Sequence, residues 1–188
     1  VFIRWWLAAA LAASLLAFSP RPPEVDILET GTHPISITVV SDDNYPPYIF
    51  RNEEGTVQGI LVDEWREWER TTGVKVELKA MDWSRAQWEM TQGRADVIDT
   101  MFINEERARK LDFSRPYARI EVPVFVHKSL GGISGVPSLR GFTVGVKAGD
   151  AVIQVLKDQG VDTFREYDNY QAVIDAARAG NIRVFAVD

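Results

Sequence analysis

The sequence predicts an α/β fold in two lobes, and two observations predict it. Stretches with strand patterning alternate with stretches of helical patterning, the order that places helices over sheets. The alternation occurs twice in the 188 residues, on either side of a Gly/Ser-rich stretch, "SLGGISGVPS". Two small lobes fit this better than one large sheet. The second lobe and the segment that would return from it read as truncated, because the chain stops at the end of a predicted strand.

The elements of the first lobe follow in order. "ISITVVS" (35–41) carries apolar Ile35, Ile37 and Val39 among β-branched residues, a strand. "NYPPYIF" follows, where two prolines forbid regular structure. "RNEEGTVQG" reads as a hairpin turn around Glu54-Gly55. Leu61, Trp65 and Trp68 recur at i, i+4 and i+7, one face of a helix ending at Gly73. "VKVELKA" (74–80) alternates strictly, a strand. "DWSRAQWEMTQG" sets Gln87 three residues after Ser84, a capping-box signature, and closes at Gly93. "ADVIDTMF" reads as a short buried strand.

Ile120 to Val126 is an apolar run broken by Glu121 and Pro123, and the Gly/Ser-rich loop follows it. Beyond the loop, "GFTVGV" (141–146) reads as a strand and Val152, Val155 and Leu156 line a helix. "DTFREY" (162–167) is a further strand. Asp168 and Gln171 form a second capping-box signature, ahead of a helix lined by Tyr170, Val173, Ile174 and Ala177. Gly180-Asn181 ends that helix, and "IRVFAVD" (182–188) is the last strand. The expected organisation is a targeting segment over 1–19, a polar, proline-marked linker over 20–34, lobe 1 over 35–125 and an incomplete lobe 2 over 126–188.

Composition excludes several function classes. The formal net charge is -6 with no dense basic run, which argues against a nucleic-acid surface. The absence of cysteine excludes disulfides, thiol catalysis and cysteine-based zinc sites. His33 and His127 lack metal-ligand spacing, and no Gly-x-Ser-x-Gly, Walker or Gly-x-Gly-x-x-Gly motif is present. No cofactor, metal or catalytic residue is therefore expected. At the N-terminus, one positive charge, Arg4, precedes an apolar run from Trp5 to Phe18 that "SPRPP" stops. That run has the size of a signal-peptide core and is shorter than the roughly 20 residues of a membrane span. Ala17-Phe18-Ser19 is not a clean cleavage site, so a cleaved signal and an uncleaved membrane anchor both remain open. Either implies that the rest of the chain is periplasmic or extracytoplasmic.

Ligands of open α/β sheets bind at the carboxyl ends of the strands. Four polar or aromatic stretches fall there: "SDDNYPPY", "DTMFINEER", "KAGDA" and Asp188. Arg107 stands out among them. Asn104 has the look of an N-cap, with Glu105 and Glu106 in the first turn. Arg107 is then a cation near the positive end of a helix, and the residues three and four away (Ile103, Asn104, Lys110, Leu111) offer it no carboxylate. A carboxylate-bearing ligand would supply the anion through two parallel hydrogen bonds. A surface arginine, or one paired with Asp112 or Asp42, is the alternative.

The blocks "DDNYPPYIF", "DTMFINEERARKLDFSRPYA", "LRGFTVGVKAGDA" and "YDNYQAVIDAARAGNIRVFAVD" resemble, in that order, family 3 bacterial extracellular solute-binding proteins of the type II periplasmic-binding-protein fold. The block Glu106 to Tyr117 carries most of the likeness. The wording "VIDTMF…EERA…DFS…IEVPVFVHK" resembles the sensor-domain branch, in which the module precedes GGDEF/EAL or histidine-kinase outputs. The resemblance implies two lobes that close by hinge motion on a small polar ligand, an amino acid or an amine-bearing carboxylate. It implies that Arg107 clamps the ligand carboxylate, Asp188 accepts its ammonium, and Tyr45 or Tyr48 covers it. It places Thr100, Phe102, Asp150 and Ala151 at contact positions.

Three residues depart from the family pattern. Phe102 stands where a hydroxyl is usual, Asp150 where a neutral hydroxyl residue is usual, and Asp99 where a small residue is common. They imply a more acidic cleft that favours a cationic or amine-bearing solute. The role implied is the sensory input of a membrane signalling protein, with a downstream signalling domain as partner. The alternatives are the binding component of an amino-acid uptake transporter, partnered by a permease, and a cyclohexadienyl-dehydratase-like enzyme.

Overall fold

The computed structural model describes residues 36–188. The expected targeting segment, linker, His33 and Ile35 lie outside the described residues. The chain enters at β1 (Ser36–Asp42), passes through three short strands, β2 (Asn44–Tyr45), β3 (Ile49–Arg51) and β4 (Val57–Gln58), and forms α1 (Ile60–Thr72). β5 (Lys75–Met81), α2 (Trp83–Thr91) and β6 (Val97–Ile98) follow. β1 lies between β5 and β6 and is parallel to both. Its Val39, Val40, Ser41 and Asp42 are all buried, as expected of a central parallel strand covered on both faces.

Pro46 and Pro47 form the turn between the antiparallel strands β2 and β3. This turn also starts α1, which has no side-chain cap. The Pro47 carbonyl accepts from Ile60 N–H at 3.2 Å and the Tyr48 carbonyl from Leu61 N–H at 3.0 Å, satisfying two of the helix's unpaired amides. Gly59 permits this approach. Its φ is 130°, and a Cβ there would lie 2.3 Å from the Tyr48 carbonyl oxygen. At the other end Gly73 adopts a left-handed conformation (φ 74°) and donates to the Glu69 carbonyl, as its position predicts. The expected hairpin turn is closed by Asn52, whose side chain accepts from Glu54 and Thr56 N–H.

After the four-residue α3 (Glu105–Ala108), the chain reaches the second sheet with β7 (Val124–Val126). β8 (Val144–Lys147), α4 (Ala151–Asp158), β9 (Phe164–Tyr167), α5 (Tyr170–Arg178) and β10 (Val184–Ala186) complete it. The strand order is β7-β10-β8-β9, with β7 alone antiparallel. Leu139, Val144, Val146, Leu156, Val161 and Val184 are buried together, each worth about 1.5–3 kcal/mol on leaving water. Val173, Ala176 and Ile182 form a separate cluster under α5.

Several local expectations give way to packing. The Ser84/Gln87 capping box does not form: α2 starts at Trp83, with Asp82 at the N-cap and no side-chain bond. Trp83 is buried with Val40 and Ala86, and that burial sets where the helix begins. The Asp168/Gln171 box does not form either. Asn169 is the N-cap of α5 and accepts from Ala172 N–H at 2.9 Å, while Gln171 turns to Asp175 one helical turn on. Val155 is exposed, so Val152 and Leu156 alone form the buried stripe of α4. The strand expected over "ADVIDTMF" shrinks to two half-buried residues paired with β1.

A buried ion pair joins the two sheets. Asp42 at the end of β1 meets Lys147 at the end of β8, and both are almost fully removed from solvent. Lys147→Met leaves Asp42 buried and unpaired and is expected to cost about 3–5 kcal/mol, whereas the double variant with Asp42→Leu recovers most of it. Urea denaturation of Lys147→Met, Asp42→Leu and the double variant measures this. Gly59→Ala combines a disfavoured φ with a backbone collision and is expected to lower the denaturation midpoint by the equivalent of about 2–4 kcal/mol.

Candidate ligand-binding cleft

The carboxyl ends of β1, β8 and β10 bring Asp42, Lys147 and Asp188 to one cleft between the sheets. β2 adds Tyr45, the start of α2 adds Trp83, and the loop after β6 adds Thr100 and Phe102. α3 adds Arg107, the turn into α4 adds Asp150 and Ala151, and α5 adds Tyr170. Seven of the nine residues expected at a site line this cleft: Tyr45, Thr100, Phe102, Arg107, Asp150, Ala151 and Asp188. Tyr48 and Asp99 do not.

Tyr48 stands behind the cleft with its ring 5.1 Å from that of Tyr45. Asp99 is a correction to the expected site, because it does not line the cleft and both its oxygens accept hydrogen bonds inside the protein. Oδ2 accepts from Trp65 Nε1 at 2.7 Å, and Oδ1 accepts from Tyr117 Oη at 2.6 Å and Thr100 N–H at 2.7 Å. This network holds Thr100 at φ 61°, a left-handed conformation that costs a β-branched residue about 1–3 kcal/mol. Asp99 thus aims the loop that carries Thr100 and Phe102, with both oxygens engaged inside the protein.

Arg107 has the local structure its sequence predicts. Asn104 caps α3 and accepts from the Arg107 amide at 2.8 Å. Among the described residues no carboxylate pairs with its guanidinium, neither Asp112 nor Asp42. Nη1 donates to the Phe102 carbonyl at 2.9 Å, and Nη2 donates to the Gly149 carbonyl at 3.0 Å and to Gln87 Oε1 at 3.4 Å. Burial pulls its pKa down, and the charge of Asp150 opposes this. The Gly149 carbonyl also receives Trp83 Nε1 and Gln87 Nε2, each at 3.2 Å. Three donors from the first-sheet side thus converge on one acceptor with two lone pairs.

The three cleft carboxylates differ in how far they are neutralised. Asp42 is paired with Lys147, whose ammonium also lies 4.8 Å from the centre of the Tyr170 ring. Asp150 caps α4 through Oδ1, which accepts from Val152 N–H, and its Oδ2 accepts from Tyr170 Oη at 2.8 Å. Burial pushes the Asp150 carboxyl up, and those two donors oppose the shift. Asp188 Oδ2 accepts from Tyr45 Oη at 2.7 Å. Its Oδ1 is buried and has no partner among the described residues. Burial and then the Asp188 bond push the Tyr45 hydroxyl far up, so it stays a donor.

Sequence reasoning assigned no site role to Lys147, Tyr170, Trp83 or Gln87. Lys147 had one usable signal, its place at the end of an apolar strand inside the "KAGDA" region. Its partner Asp42 lies 105 residues away, beyond any local pattern.

Comparison with known proteins agrees with this architecture. The model of bacterial extracellular solute-binding proteins, family 3, matches residues 37–181. The L-cystine-binding protein TcyJ of Escherichia coli (strain K12) is 31% identical over 188 residues, spanning 97% of this chain and 69% of that protein. An ancestral arginine-binding protein, solved bound to arginine, is 30% identical with a TM-score of 0.70 over 81% of this chain and 70% of its own. A histidine kinase sensor domain with similarity to periplasmic binding proteins is 25% identical with a TM-score of 0.74, covering 81% of this chain and 67% of that one. The family model, TcyJ and the ancestral protein are binding proteins by name, and the two solved structures share the α/β fold of this chain. The chain belongs to the family 3 bacterial extracellular solute-binding proteins.

Proposed function

We propose that the cleft binds a small zwitterionic amino acid, its carboxylate on Arg107 and its ammonium on Asp188. The observation that carries this reading is the pair of unmet charges. Among the described residues Arg107 is a half-buried cation that forms no ion pair, its guanidinium donating to carbonyls, and Asp188 keeps one buried oxygen with no donor. A ligand carboxylate would relieve the three-donor crowding at the Gly149 carbonyl by taking over the Arg107 fork. Tyr45, held by Asp188 and backed by Tyr48, would form the wall of the site. Thr100, Phe102 and Ala151 would complete it.

The module acts outside the cytoplasm, and the role we favour is the sensory input of a membrane signalling protein. The likeness to a histidine kinase sensor domain supports this. A second reading, the binding component of an amino-acid uptake transporter working with a permease, draws on the likeness to TcyJ. The reading frame beyond Asp188 separates them, by an output domain or by a stop soon after the fold closes. We read the cleft as one that binds and does not catalyse. Asp99 does not line it, and Asp150 is used structurally, one oxygen capping α4 and the other holding the Tyr170 hydroxyl.

Two measurements test these readings. Calorimetric titration with a panel of amino acids is expected to give binding that Arg107→Ala weakens by about 100-fold, the loss of two charge-assisted bonds. Asp188→Asn is expected to weaken the same ligand while leaving a des-amino analogue less affected. Unchanged affinity in Arg107→Ala sinks the carboxylate assignment. Incubation with prephenate or arogenate is expected to leave the substrate intact, and its loss over time would establish the enzyme reading.

A further inference from the structure

Asp150 is the cleft acid that stands beside Arg107. Nη2 of Arg107 donates at 3.0 Å to the carbonyl of Gly149, the residue immediately before Asp150. The two side chains form no ion pair, yet of the charges around Arg107 that of Asp150 acts on it most strongly. Asp150 is only 8% exposed. Its donors, the Val152 amide and the Tyr170 hydroxyl, are neutral, so they hold the carboxylate in place without cancelling its charge. The charged residues lining the cleft are the cations Arg107 and Lys147 and the acids Asp42, Asp150 and Asp188. With every group ionised, the acids outnumber the cations by one. A zwitterion adds no net charge, so it would leave a buried anion unbalanced, which is costly.

We infer that binding of an amino acid takes up a proton at Asp150, so that this residue makes recognition of the ligand's carboxylate depend on pH. The inference rests on the amino-acid reading above. A carboxylate that takes over the Arg107 fork arrives next to Asp150, and two anions then share one guanidinium. Like charges at close range disfavour the ionised form of each other. Asp150 is the partner that takes the proton, because burial, with the charge of Asp188 adding to it, already pushes its carboxyl up. Once protonated, Asp150 offers an O–H donor in place of a charge. The Tyr170 hydroxyl then turns to Asp188, which it also reaches.

Charged and titratable groups face Asp150 from several elements. α5 presents Tyr170, the end of β10 Asp188, α3 Arg107 and β2 Tyr45. The end of β8 presents Lys147, which is already paired with Asp42. On the outer side Glu106, Lys110, Lys157 and Glu166 line a surface pocket with Asp150. His127 lines neither the cleft nor that pocket. The arriving carboxylate pushes the Asp150 carboxyl up further, from a free value that is already raised. Affinity is therefore lowest above the bound value, rises as pH falls from the bound to the free value, and levels off below the free value.

The test is calorimetric titration of the full-length protein with the twenty standard amino acids, followed by a pH series on the tightest binder. Its affinity is expected to rise about tenfold between about pH 8 and about pH 5, within the limit of tenfold per pH unit that one proton sets. Titration of the wild type near the middle of that range, in two buffers of different ionisation enthalpy, is expected to show uptake of up to one proton per ligand. Asp150→Asn keeps a good N-cap and an acceptor for Tyr170. It is expected to bind more tightly than the wild type at the alkaline end and to lose both the pH dependence and the uptake. Affinity that is flat or falls towards acid pH, or binding without proton uptake, overturns the inference and leaves the amino-acid reading standing. Uptake that survives in Asp150→Asn overturns the inference in the same way, because another group then takes the proton. Binding of none of the twenty overturns the amino-acid reading itself.

Discussion

The contact on which the rest of the site depends is the buried pair of Asp42 and Lys147. Each lies at the end of an apolar strand, behind Val39 and Val40 in one sheet and behind Val144 and Val146 in the other. Taking either charge out of water alone would cost several kcal/mol, so each requires the other. The pair contributes little net stability for the same reason, but it fixes where the end of β1 stands relative to the end of β8. Tyr45 is three residues beyond Asp42, and Asp150 is three residues beyond Lys147. The positions of both are therefore tied to this contact.

A second set of contacts converges on the Gly149 carbonyl, where Trp83, Gln87 and Arg107 all donate. These bonds lie within the protein and favour approach of the two sheets whatever the ligand. A ligand adds only the difference between what it gains when the lobes are together and when they are apart. A swing from 1:99 to 99:1 needs about 5.5 kcal/mol of such difference. Charge-assisted hydrogen bonds of about 1.5–3 kcal/mol each make two or three of them sufficient. Arg107 and Asp188 enter the cleft from different sheets, so a ligand joined to both gains its second bond only when the lobes are together.

Features set by neighbouring residues were legible in the sequence. The Asn104 cap, the Gly73 stop, the Asn52–Gly55 turn and the apolar stripe of α5 depend on partners within a few positions. Features set by distant partners were not. The Ser84/Gln87 pattern is a valid cap signal, but the burial of Trp83 against Val40 decides where α2 starts. Gly59 carries no signal of its own in the sequence, and only its approach to the Tyr48 carbonyl shows why no larger residue fits. Arg107 was legible through an absence, the lack of a carboxylate one turn away, and the structure extends that absence to three dimensions.

The acids of the cleft show how a correct count can mislead about charge. Asp42, Asp99, Asp150 and Asp188 suggest a surface that attracts cations. The structure neutralises or commits three of them with partners 105, 34 and 20 residues away, Lys147, Trp65 and Tyr170. What remains toward a ligand includes one guanidinium in no ion pair and one carboxylate oxygen without a donor, among the described residues. Under the proposed reading, the carboxylate and ammonium of a zwitterionic ligand would meet these two groups at once.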